Sequence, residues 1–378
     1  MKVLQVMGSM NLGGAETYIM NIFRNIDRTK TQFDFAVYGD EKQYFEDEIT
    51  RLGGSVIRLP DISMKNTVKV YSAFRKIIKN GNYDVVHAHT NYNEAIPLLA
   101  AKKENVPVRV AHSHNTRNKN KLSAIEKMYM AAARKIIVKT ATKLMGCSKQ
   151  AMIDFYGSQQ KSRFVFAPDA IDISLFMKSK NENHLVLKNE FHISHNYKVI
   201  GHVGNFGDQK NHEYLINVFT EMLKLTPKLA LVLIGTGSEK KIQEIKELVH
   251  KNKIDRNVYF LGRRSDIPQL MHCMDLFIFP SLYEGFGIVL LEAQAAGLRS
   301  LVSENIQPEV DVGMGMIEFL ELRCGAEVWA KKAFELLNCP RVNNDTICAK
   351  FSESPYMIEN AAKDLVQIYK NEKVGSRN

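Results

Sequence analysis

Residues 280–293 read PSLYEGFGIVLLEA and contain, in order, the end of an apolar strand, a short loop and the start of an apolar helix. We expect the strand to end at Pro280 and the helix to begin near Ile288. Gly285 and Gly287 remove side chains at points where a ligand could approach the backbone. The stretch therefore predicts a strand–loop–helix unit of a parallel sheet.

Two carboxylates lie in the same stretch, at Glu284 in the loop and Glu292 in the helix. The N–H groups at the start of the helix favour an anion such as phosphate. Carboxylates instead accept hydrogen bonds from hydroxyl groups. The pattern indicates a ligand that carries both phosphate and hydroxyls. The alternative is an ordinary glycine turn with two solvated glutamates.

The alternation of apolar strands and helices continues on both sides of this stretch. Near-continuous apolar strands separated by helices indicate parallel sheets that are covered on both faces. The pattern stops and restarts once, so we expect two doubly wound α/β domains. The expected strands are residues 3–8, 33–38, 55–59, 84–89, 108–114, 143–147 and 164–167, then 198–204, 229–235, 258–262, 276–280 and 300–303.

The polar segment 169–197 separates the two sets, and we interpret its first part as a linker. The prediction is an N-terminal domain of residues 1–180 and a C-terminal domain of residues 190–354. A final amphipathic helix within residues 355–378 is expected to pack back on the N-terminal domain. Ligands of such sheets bind outside the carboxyl ends of the strands, so both domains would present loops to a central cleft.

Composition indicates a globular protein without a membrane span. Of the 378 residues, 45% are apolar and 24% are charged, and no apolar run reaches the roughly 18 residues that a transmembrane helix needs. The opening residues are too short an apolar stretch for a signal peptide. The five cysteines are scattered without a C-x-x-C pair, which favours reduced thiols and a cytoplasmic location.

The net charge of +10 indicates a negatively charged partner: nucleic acid, an anionic membrane or a phosphorylated substrate. Basic residues concentrate in residues 117–149, where Glu126 is the only acidic side chain. Lys135, Lys139 and Lys143 are spaced four apart and would form one stripe on a helix. A solvated helix face is an equally good interpretation.

Glu284 and Glu292 form an E-x7-E pair, and residues 280–293 resemble the signature of the family 4 retaining glycosyltransferases of the GT-B fold. The subgroup that the chain most resembles makes bacterial capsular and extracellular polysaccharides. Other stretches occur where this family has its motifs: GGAE at 13–16, HSH at 112–114, APDAID at 167–172, GNFGDQKN at 204–211, GTG at 235–237 and FLG at 260–262. The resemblance covers nearly the whole chain and implies two Rossmann-like domains.

The resemblance assigns roles to individual residues. Glu292 would hold the ribose hydroxyls and Glu284 the hydroxyls of the donor sugar. Lys210 would pair with the diphosphate, and His114 would form a hydrogen bond near the sugar and phosphate. The implied catalytic residues are thus Glu284, His114 and Lys210. The implied donor- and nucleotide-binding residues are Gly14, Asn205, Gly235, Arg263, Gly285, Phe286, Gly287, Ile288 and Glu292.

The family resemblance also implies the reaction and its partners. The donor would be a nucleotide-diphosphate sugar, with UDP favoured, that carries a hexose or N-acetylhexosamine. The acceptor would be a lipid-linked glycan precursor in cell-surface polysaccharide synthesis. Transfer would proceed by front-face displacement with retention, without a cofactor, a metal or a protein nucleophile. An anionic surface at the inner face of the cell membrane is a further expected partner, and nucleic acid is not.

Three positions depart from the family pattern. Asn205 stands where the family has an arginine, so one of two cations in that loop is missing. Asp169 replaces the linker asparagine, and Arg299 replaces a common proline. The Asn205 departure leaves open a weakened or altered donor site.

The sequence also contains two histidine pairs, His87–His89 and His112–His114, whose spacing would suit a metal ion. No carboxylate or cysteine nearby is evident to complete a site, and the chain has no D-x-D motif. We therefore expect no metal.

Other functions remain possible at this point. A nicotinamide-dependent dehydrogenase would share the doubly wound pattern, but the G-x-G-x-x-G fingerprint is missing after the first strand. A regulatory, catalytically weak glycosyltransferase-like partner is suggested by Asn205. A sugar-nucleotide epimerase can have the same two-domain fold, and fold alone does not decide between these functions.

Overall fold

The structure is a computed structural model that describes residues 1–62, 66–116, 123–179 and 185–375. It contains two compact units. The first unit consists of Met1–Ala170 and Pro355–Asn378, and the second of Ile171–Ser354. The division lies between Ala170 and Ile171, earlier than the polar composition of the following segment suggests.

The first unit is built on a seven-stranded parallel sheet with the order β3-β2-β1-β4-β5-β6-β7. The central strand β1 pairs with β2 and β4, so that Val3 lies opposite Phe33 on one side and Val85 on the other. The strands are β1 (Lys2–Met7), β2 (Gln32–Tyr38), β3 (Ser55–Leu59), β4 (Val85–Ala88), β5 (Val108–Ser113), β6 (Lys143–Gly146) and β7 (Phe164–Phe166).

Helices cover both faces of this sheet, as near-continuous apolar strands require. One apolar core lies under α3, α4, α5 and α6, and the other under α1, α2 and the C-terminal helix. The helices are α1 (Gly14–Asn25), α2 (Glu46–Arg51), α3 (Thr67–Gly81), α4 (Ala95–Lys103), α5 (Ala124–Thr140), α6 (Lys149–Tyr156) and α15 (Ile358–Gly375).

The second unit is built on a six-stranded parallel sheet with the order β10-β9-β8-β11-β12-β13. Its strands are β8 (Lys198–Val203), β9 (Leu229–Ile234), β10 (Val258–Gly262), β11 (Leu276–Phe279), β12 (Ser300–Ser303) and β13 (Ile317–Leu320). Its helices are α7 (Ile173–Ser179), α8 (Val186–Glu190), α9 (His212–Leu225), α10 (Glu239–Lys251), α11 (Ile267–His272), α12 (Ile288–Ala295), α13 (Ala326–Leu337) and α14 (Asn344–Ser352). Both strand orders reverse direction at the centre of the sheet, which is the doubly wound topology. The predicted fold class is therefore confirmed for each unit.

The C-terminal helix α15 packs in the first unit, as predicted from the sequence. Ile358, Ala362, Leu365 and Tyr369 are each at most 2% exposed in the core that contains β1 and α1. The first unit is therefore completed by residues that follow the second unit in the chain.

Three details differ from the sequence-based expectations. The first part of the expected linker forms α7, which is tied to the second unit by the His272 ring nitrogen 2.6 Å from the Phe176 carbonyl. Strand β13 was not expected, because it is short and only its first residue is buried. Lys143 begins β6 and does not share a helix with Lys135 and Lys139, so the expected three-lysine stripe is wrong.

Within the described residues, the structure contains no helix that is both long enough and apolar enough to span a membrane.

Candidate functional site

The loop quoted first follows the central strand β11 and ends at the start of α12. Gly287 is the residue before α12 and has a φ of 94°, in the left-handed region that favours glycine. This turn brings the backbone from the strand into the helix over very few residues. Phe286 is buried beside it, whereas Ile288 is the first residue of the helix.

Glu284 and Lys210 form an ion pair between two loops of the second unit. The Lys210 Nζ lies 2.7 Å from Glu284 Oε1, and the side chains are only 18% and 8% exposed. Lys210 follows β8 and Glu284 follows β11, which are adjacent parallel strands. Their carboxyl ends therefore bring a cation and a carboxylate together at one edge of the sheet.

Several further contacts hold this ion pair in place. Gln209 Nε2 donates a hydrogen bond to Glu284 Oε2 at 2.9 Å, and Lys210 Nζ lies 4.5 Å from the centre of the Phe279 ring. The Leu282 N–H donates to the Gln209 carbonyl at 2.8 Å. The two loops therefore form one hydrogen-bonded polar cluster, in which both oxygens of Glu284 already have a donor.

Glycine and Asn205 shape the start of the same loop. A Cβ atom on Gly235 would lie 2.1 Å from the Gly204 carbonyl oxygen, so the two chain segments could not approach this closely with a larger residue. Asn205 is exposed, and its Oδ1 accepts a hydrogen bond from Thr236 at 3.3 Å. Asn205 thus presents a neutral amide at the position where the family has a cation.

Glu292 lies in the second turn of α12 and is half-buried. Desolvation raises the pKa of Glu292 to about 7. Burial therefore favours the protonated form of the Glu292 carboxyl group over the carboxylate, relative to an exposed glutamate.

Arg263 is exposed directly after β10, whereas its neighbour Arg264 is bound in ion pairs with Glu190 and Asp266. Arg263 therefore presents its charge at the surface of the second unit.

The histidines lie at the carboxyl ends of β4 and β5 in the first unit. His87 Nε2 lies 3.1 Å from His112 Nδ1, and His89 Nδ1 lies 2.7 Å from His114 Nε2. Burial lowers the pKa of all four rings, that of His114 to about 3. All four imidazoles are therefore neutral at physiological pH.

The same histidines include a group with metal-binding potential. Ligand atoms of His87, His89 and His112 lie within 4.8 Å of one another. The ring nitrogens that face each other already form hydrogen bonds, however, so a metal would have to replace those bonds. The expectation that the chain uses no metal stays a prediction.

Gly14, one of the implied donor-binding residues, is the first residue of α1, and a Cβ there would meet no atom within 4 Å. Tyr18, one turn further along α1, packs on the rings of His112 and His114. The structure therefore places the start of α1 next to His114 within the first unit. Within the second unit it brings Lys210 together with Glu284 and with Asn205 in the same loop.

Several residues of these clusters were not singled out from the sequence. Gln209 stabilises Glu284, and Gln5 and Tyr369 form hydrogen bonds with the histidines. Gln5 carried a detectable signal, because it is the only polar residue between Val3 and Met7 in an apolar strand. Tyr369 carried none, since its partner strand is distant in sequence.

Two family models match the chain, one over each unit. Residues 12–172 match the model described as Glycosyltransferase Family 4, and residues 186–354 match the one described as Glycosyl transferases group 1. EpsF of Bacillus subtilis (strain 168), a protein named as a glycosyltransferase, is 33% identical over 97% of this chain and 96% of its own length. The Escherichia coli UDP-Gal:alpha-D-GlcNAc-diphosphoundecaprenol alpha-1,3-galactosyltransferase is 26% identical over 64% of this chain and 63% of its own.

Among solved structures, Anabaena Alr3699/HepE, crystallised with UDP and glucose, shares the fold. Its TM-score is 0.79, with 17% identity over 98% of this chain and 99% of that chain. The two doubly wound units, the two family models and the full-length relative agree with one another. The chain belongs to the family 4 glycosyltransferases, which have the GT-B fold.

Proposed function

We propose that this glycosyltransferase moves a hexose or N-acetylhexosamine from a UDP-sugar to a lipid-linked glycan precursor, with retention and without a metal ion or cofactor. The observation that carries the proposal is the mostly buried Lys210–Glu284 ion pair at the carboxyl ends of β8 and β11. A mostly buried cation beside a carboxylate suits a ligand that has a diphosphate next to a sugar. The E. coli relative uses a UDP-sugar and a diphosphoundecaprenol-linked acceptor, which supports this choice of donor and acceptor.

The proposed roles follow from charge and position. Lys210 stabilises the negative charge that grows on the departing diphosphate, and the N–H groups at the start of α12 add to this stabilisation. Glu284, held by Gln209 and Lys210, accepts hydrogen bonds from hydroxyls of the donor sugar. Glu292 accepts those of the ribose, and Arg263 contacts the base.

Metal independence is proposed from the residues that surround the diphosphate position. The chain has no D-x-D motif, and the carboxylate nearest to Lys210 is already paired with it. The leaving group would therefore be neutralised by Lys210 and backbone N–H groups rather than by a bound cation. His114 in the first unit is neutral and serves as a hydrogen-bonding group, not as a charge.

The acceptor side of the proposal rests on α5, whose first half is exposed. Ile125, Met128 and Tyr129 are 69%, 73% and 43% exposed and lie on one helical face. Exposed Lys135 and Lys139 continue that face toward the end of the helix. An apolar stripe that ends in lysines suits an anionic membrane surface, where a lipid-linked acceptor would be found. The residues 117–122, which carry further basic side chains, lie outside the described part of the chain.

We place this activity at the cytoplasmic face of the cell membrane. The five cysteines, all of which lie in the described part of the chain, form no disulfide bonds there, which fits a reducing compartment.

The experiment that tests the proposal is a thermal-shift screen of sugar nucleotides, followed by turnover of the best binder on an undecaprenyl-diphosphate-linked acceptor in excess EDTA. We expect UDP-sugars to raise the melting temperature most and transfer to continue in EDTA. A loss of transfer that only Mg²⁺ or Mn²⁺ restores would overturn the metal-independent mechanism. Binding without transfer to any acceptor would favour the regulatory-partner alternative.

A further inference from the structure

Two buried side chains from opposite ends of the chain connect all four histidines of the first unit. Gln5 lies on β1 and Tyr369 on α15, and both are fully buried. Tyr369 OH lies 2.6 Å from His87 Nδ1, and Gln5 Oε1 lies 3.0 Å from His89 Nε2. Gln5 Nε2 donates to Tyr369 OH at 3.3 Å. The His87–His112 and His89–His114 pairs are therefore joined into one chain of hydrogen bonds through Tyr369 and the Gln5 amide.

The direction of this chain follows from a group that can only accept. Gln5 Nε2 donates to Tyr369 OH, which directs the Gln5 amide oxygen to His89 Nε2 at 3.0 Å. An amide oxygen has no hydrogen to donate, so His89 carries its proton on Nε2.

Each following step is determined by the one before it. The Tyr369 oxygen accepts from Gln5, so its own hydrogen is directed to its other partner, His87 Nδ1. His87 Nδ1 therefore accepts, and His87 donates through Nε2 to His112 Nδ1. His89 Nδ1 can then only accept, and it accepts from His114 Nε2.

The last member of the chain is His114, whose Nε2 is protonated and whose Nδ1 has a lone pair. Within the described residues, His114 Nδ1 forms no hydrogen bond, although it is buried. A buried acceptor without a partner costs about 1–3 kcal/mol, and a hydrogen-bond donor of a bound ligand would recover this. If every hydrogen bond of the chain ran in the opposite direction, His114 Nδ1 would instead carry the proton and act as a donor.

We infer that Gln5 and Tyr369 are positioning residues that hold His114 in the Nε2–H tautomer, so that His114 Nδ1 is a fixed hydrogen-bond acceptor for a ligand donor group such as a hydroxyl. The link from the tautomer to catalysis rests on the proposed function, but the tautomer itself does not.

Metal binding by His87, His89 and His112 is the competing use of the cluster. It would need a lone pair from each ring directed to one point. In the hydrogen-bonded chain, the lone pairs of His87 and His89 instead accept from Tyr369 and His114. The hydrogen-bonded chain accounts for more of the observed contacts.

The test is ¹⁵N NMR of the full-length protein with labelled histidine rings, which distinguishes the two neutral tautomers of each ring. The His114 signals are identified by their loss in His114→Asn. In the wild type we expect His114 to be protonated on Nε2 alone. Protonation of Nδ1 instead, or ring-nitrogen shifts typical of a metal ligand together with one bound metal per chain, would overturn the inference.

Two variants test the positioning residues. Tyr369→Phe removes the acceptor that orients the Gln5 amide, so the amide can turn over and His114 should become a mixture of both tautomers. Gln5→Glu retains an acceptor for His89, so His114 should keep Nε2–H. A wild-type tautomer in Tyr369→Phe, or a mixture in Gln5→Glu, contradicts the assigned roles.

Tyr156→Phe is the matched control. Tyr156 is also fully buried in the first unit and donates a hydrogen bond to the Met145 carbonyl at 2.8 Å, and among the described residues its hydroxyl forms no hydrogen bond with the four histidines. A tautomer change in this variant too would mean that any buried hydroxyl loss disturbs the cluster, and the inference would fail. The correct tautomer in a wild type that transfers no sugar would instead refute only the proposed function.

Discussion

At the scale of single residues, the raised pKa of Glu292 predicts a pH-dependent affinity for the nucleotide. Hydroxyl donors of the ligand favour the carboxylate form, and desolvation holds the pKa near 7 in the empty site. Affinity for UDP should therefore rise with pH up to about 7, by at most roughly tenfold per pH unit, and then level off. Calorimetry between pH 5.5 and 8 measures this, and Glu292→Gln should remove the dependence.

The same residue predicts a change in folding stability that needs no ligand. The folded-state pKa of Glu292 lies above the ordinary value of 4.5. The empty protein therefore loses stability as the pH rises from about 4.5 to 7, because over this range the unfolded chain releases the Glu292 proton while the folded state retains it. Equal effects of Glu292→Gln on the melting temperature at pH 5 and pH 8 would contradict this.

Lys210→Ala should abolish measurable transfer, because it removes the cation of the loop after β8. It also leaves Glu284 buried without its ion-pair partner, which costs about 3–5 kcal/mol of folding stability. The double variant Lys210→Ala with Glu284→Gln should regain much of that stability but no transfer. Lys198→Ala, which breaks the exposed pair with Asp275, is the control. Wild-type transfer rates in the double variant would refute the donor-site assignment.

Asn205→Arg should be tolerated and should tighten binding of the nucleotide diphosphate. Asn205 is exposed and the hydrogen bond that it accepts from Thr236 is long, at 3.3 Å, so a larger side chain can extend into solvent. An added charged hydrogen bond contributes about 1.5–3 kcal/mol, or roughly ten- to a hundredfold in affinity. Unchanged affinity for UDP would mean that the diphosphate does not lie beside this position.

These residues also show how far the sequence predicts the site. Glu284 and Glu292 were identified from ligand chemistry, because a loop and helix that follow a parallel strand can bind phosphate and hydroxyl groups, whereas Lys210 was identified from the family resemblance alone. The Lys210–Glu284 pairing was not predicted, since neither residue type nor spacing shows that two loops 74 residues apart touch. Tyr369 was missed for the same reason, because its hydrogen bonds depend on where α15 packs.

At the scale of elements, α5 predicts membrane binding that depends on two lysines. Each basic residue near an anionic surface contributes about 1 kcal/mol, so reversing Lys135 and Lys139 to Glu should weaken binding to anionic vesicles at least tenfold. The matched control reverses Lys240 and Lys251 on α10, with the same change of net charge. Equal weakening by both pairs would show that only the overall charge matters.

The sequence patterns predicted the positions of helices and strands more accurately than the burial and contacts of the side chains on them. The basic stretch was expected to form one three-lysine stripe, but α5 ends at Thr140 and Arg134 turns inward, where it donates to the Phe155 and Asp154 carbonyls. Spacing alone does not show where a helix ends or which long side chain is used to satisfy backbone carbonyls. The exposure of the apolar residues on the first half of α5 was likewise apparent only in the structure.

At the scale of the whole molecule, the first unit contains the last helix of the chain. The sheet of the first unit is complete by β7, but one of its two cores includes Ile358, Leu365 and Tyr369 of α15. Fully burying an Ile or Leu side chain contributes about 1.5–3 kcal/mol, so α15 supplies a substantial part of the roughly 5–15 kcal/mol that stabilises a typical domain. The second unit has its own sheet and core between Ile171 and Ser354.

A chain that ends at Ser354 should therefore lose stability in the first unit and keep it in the second. Hydrogen exchange measures this in one sample, since β1 and β4 report on the first core and β8 and β9 on the second. We expect the amides of β1 and β4 to exchange much faster in the truncated chain, because removing α15 exposes Val3 and Val85 in the core that it covers. A chain that ends at Gly375 keeps all of α15 and is the control. Unchanged protection of β1 after truncation at Ser354 would show that the first unit does not depend on α15, and faster exchange in β8 and β9 as well would show that the two units do not unfold independently.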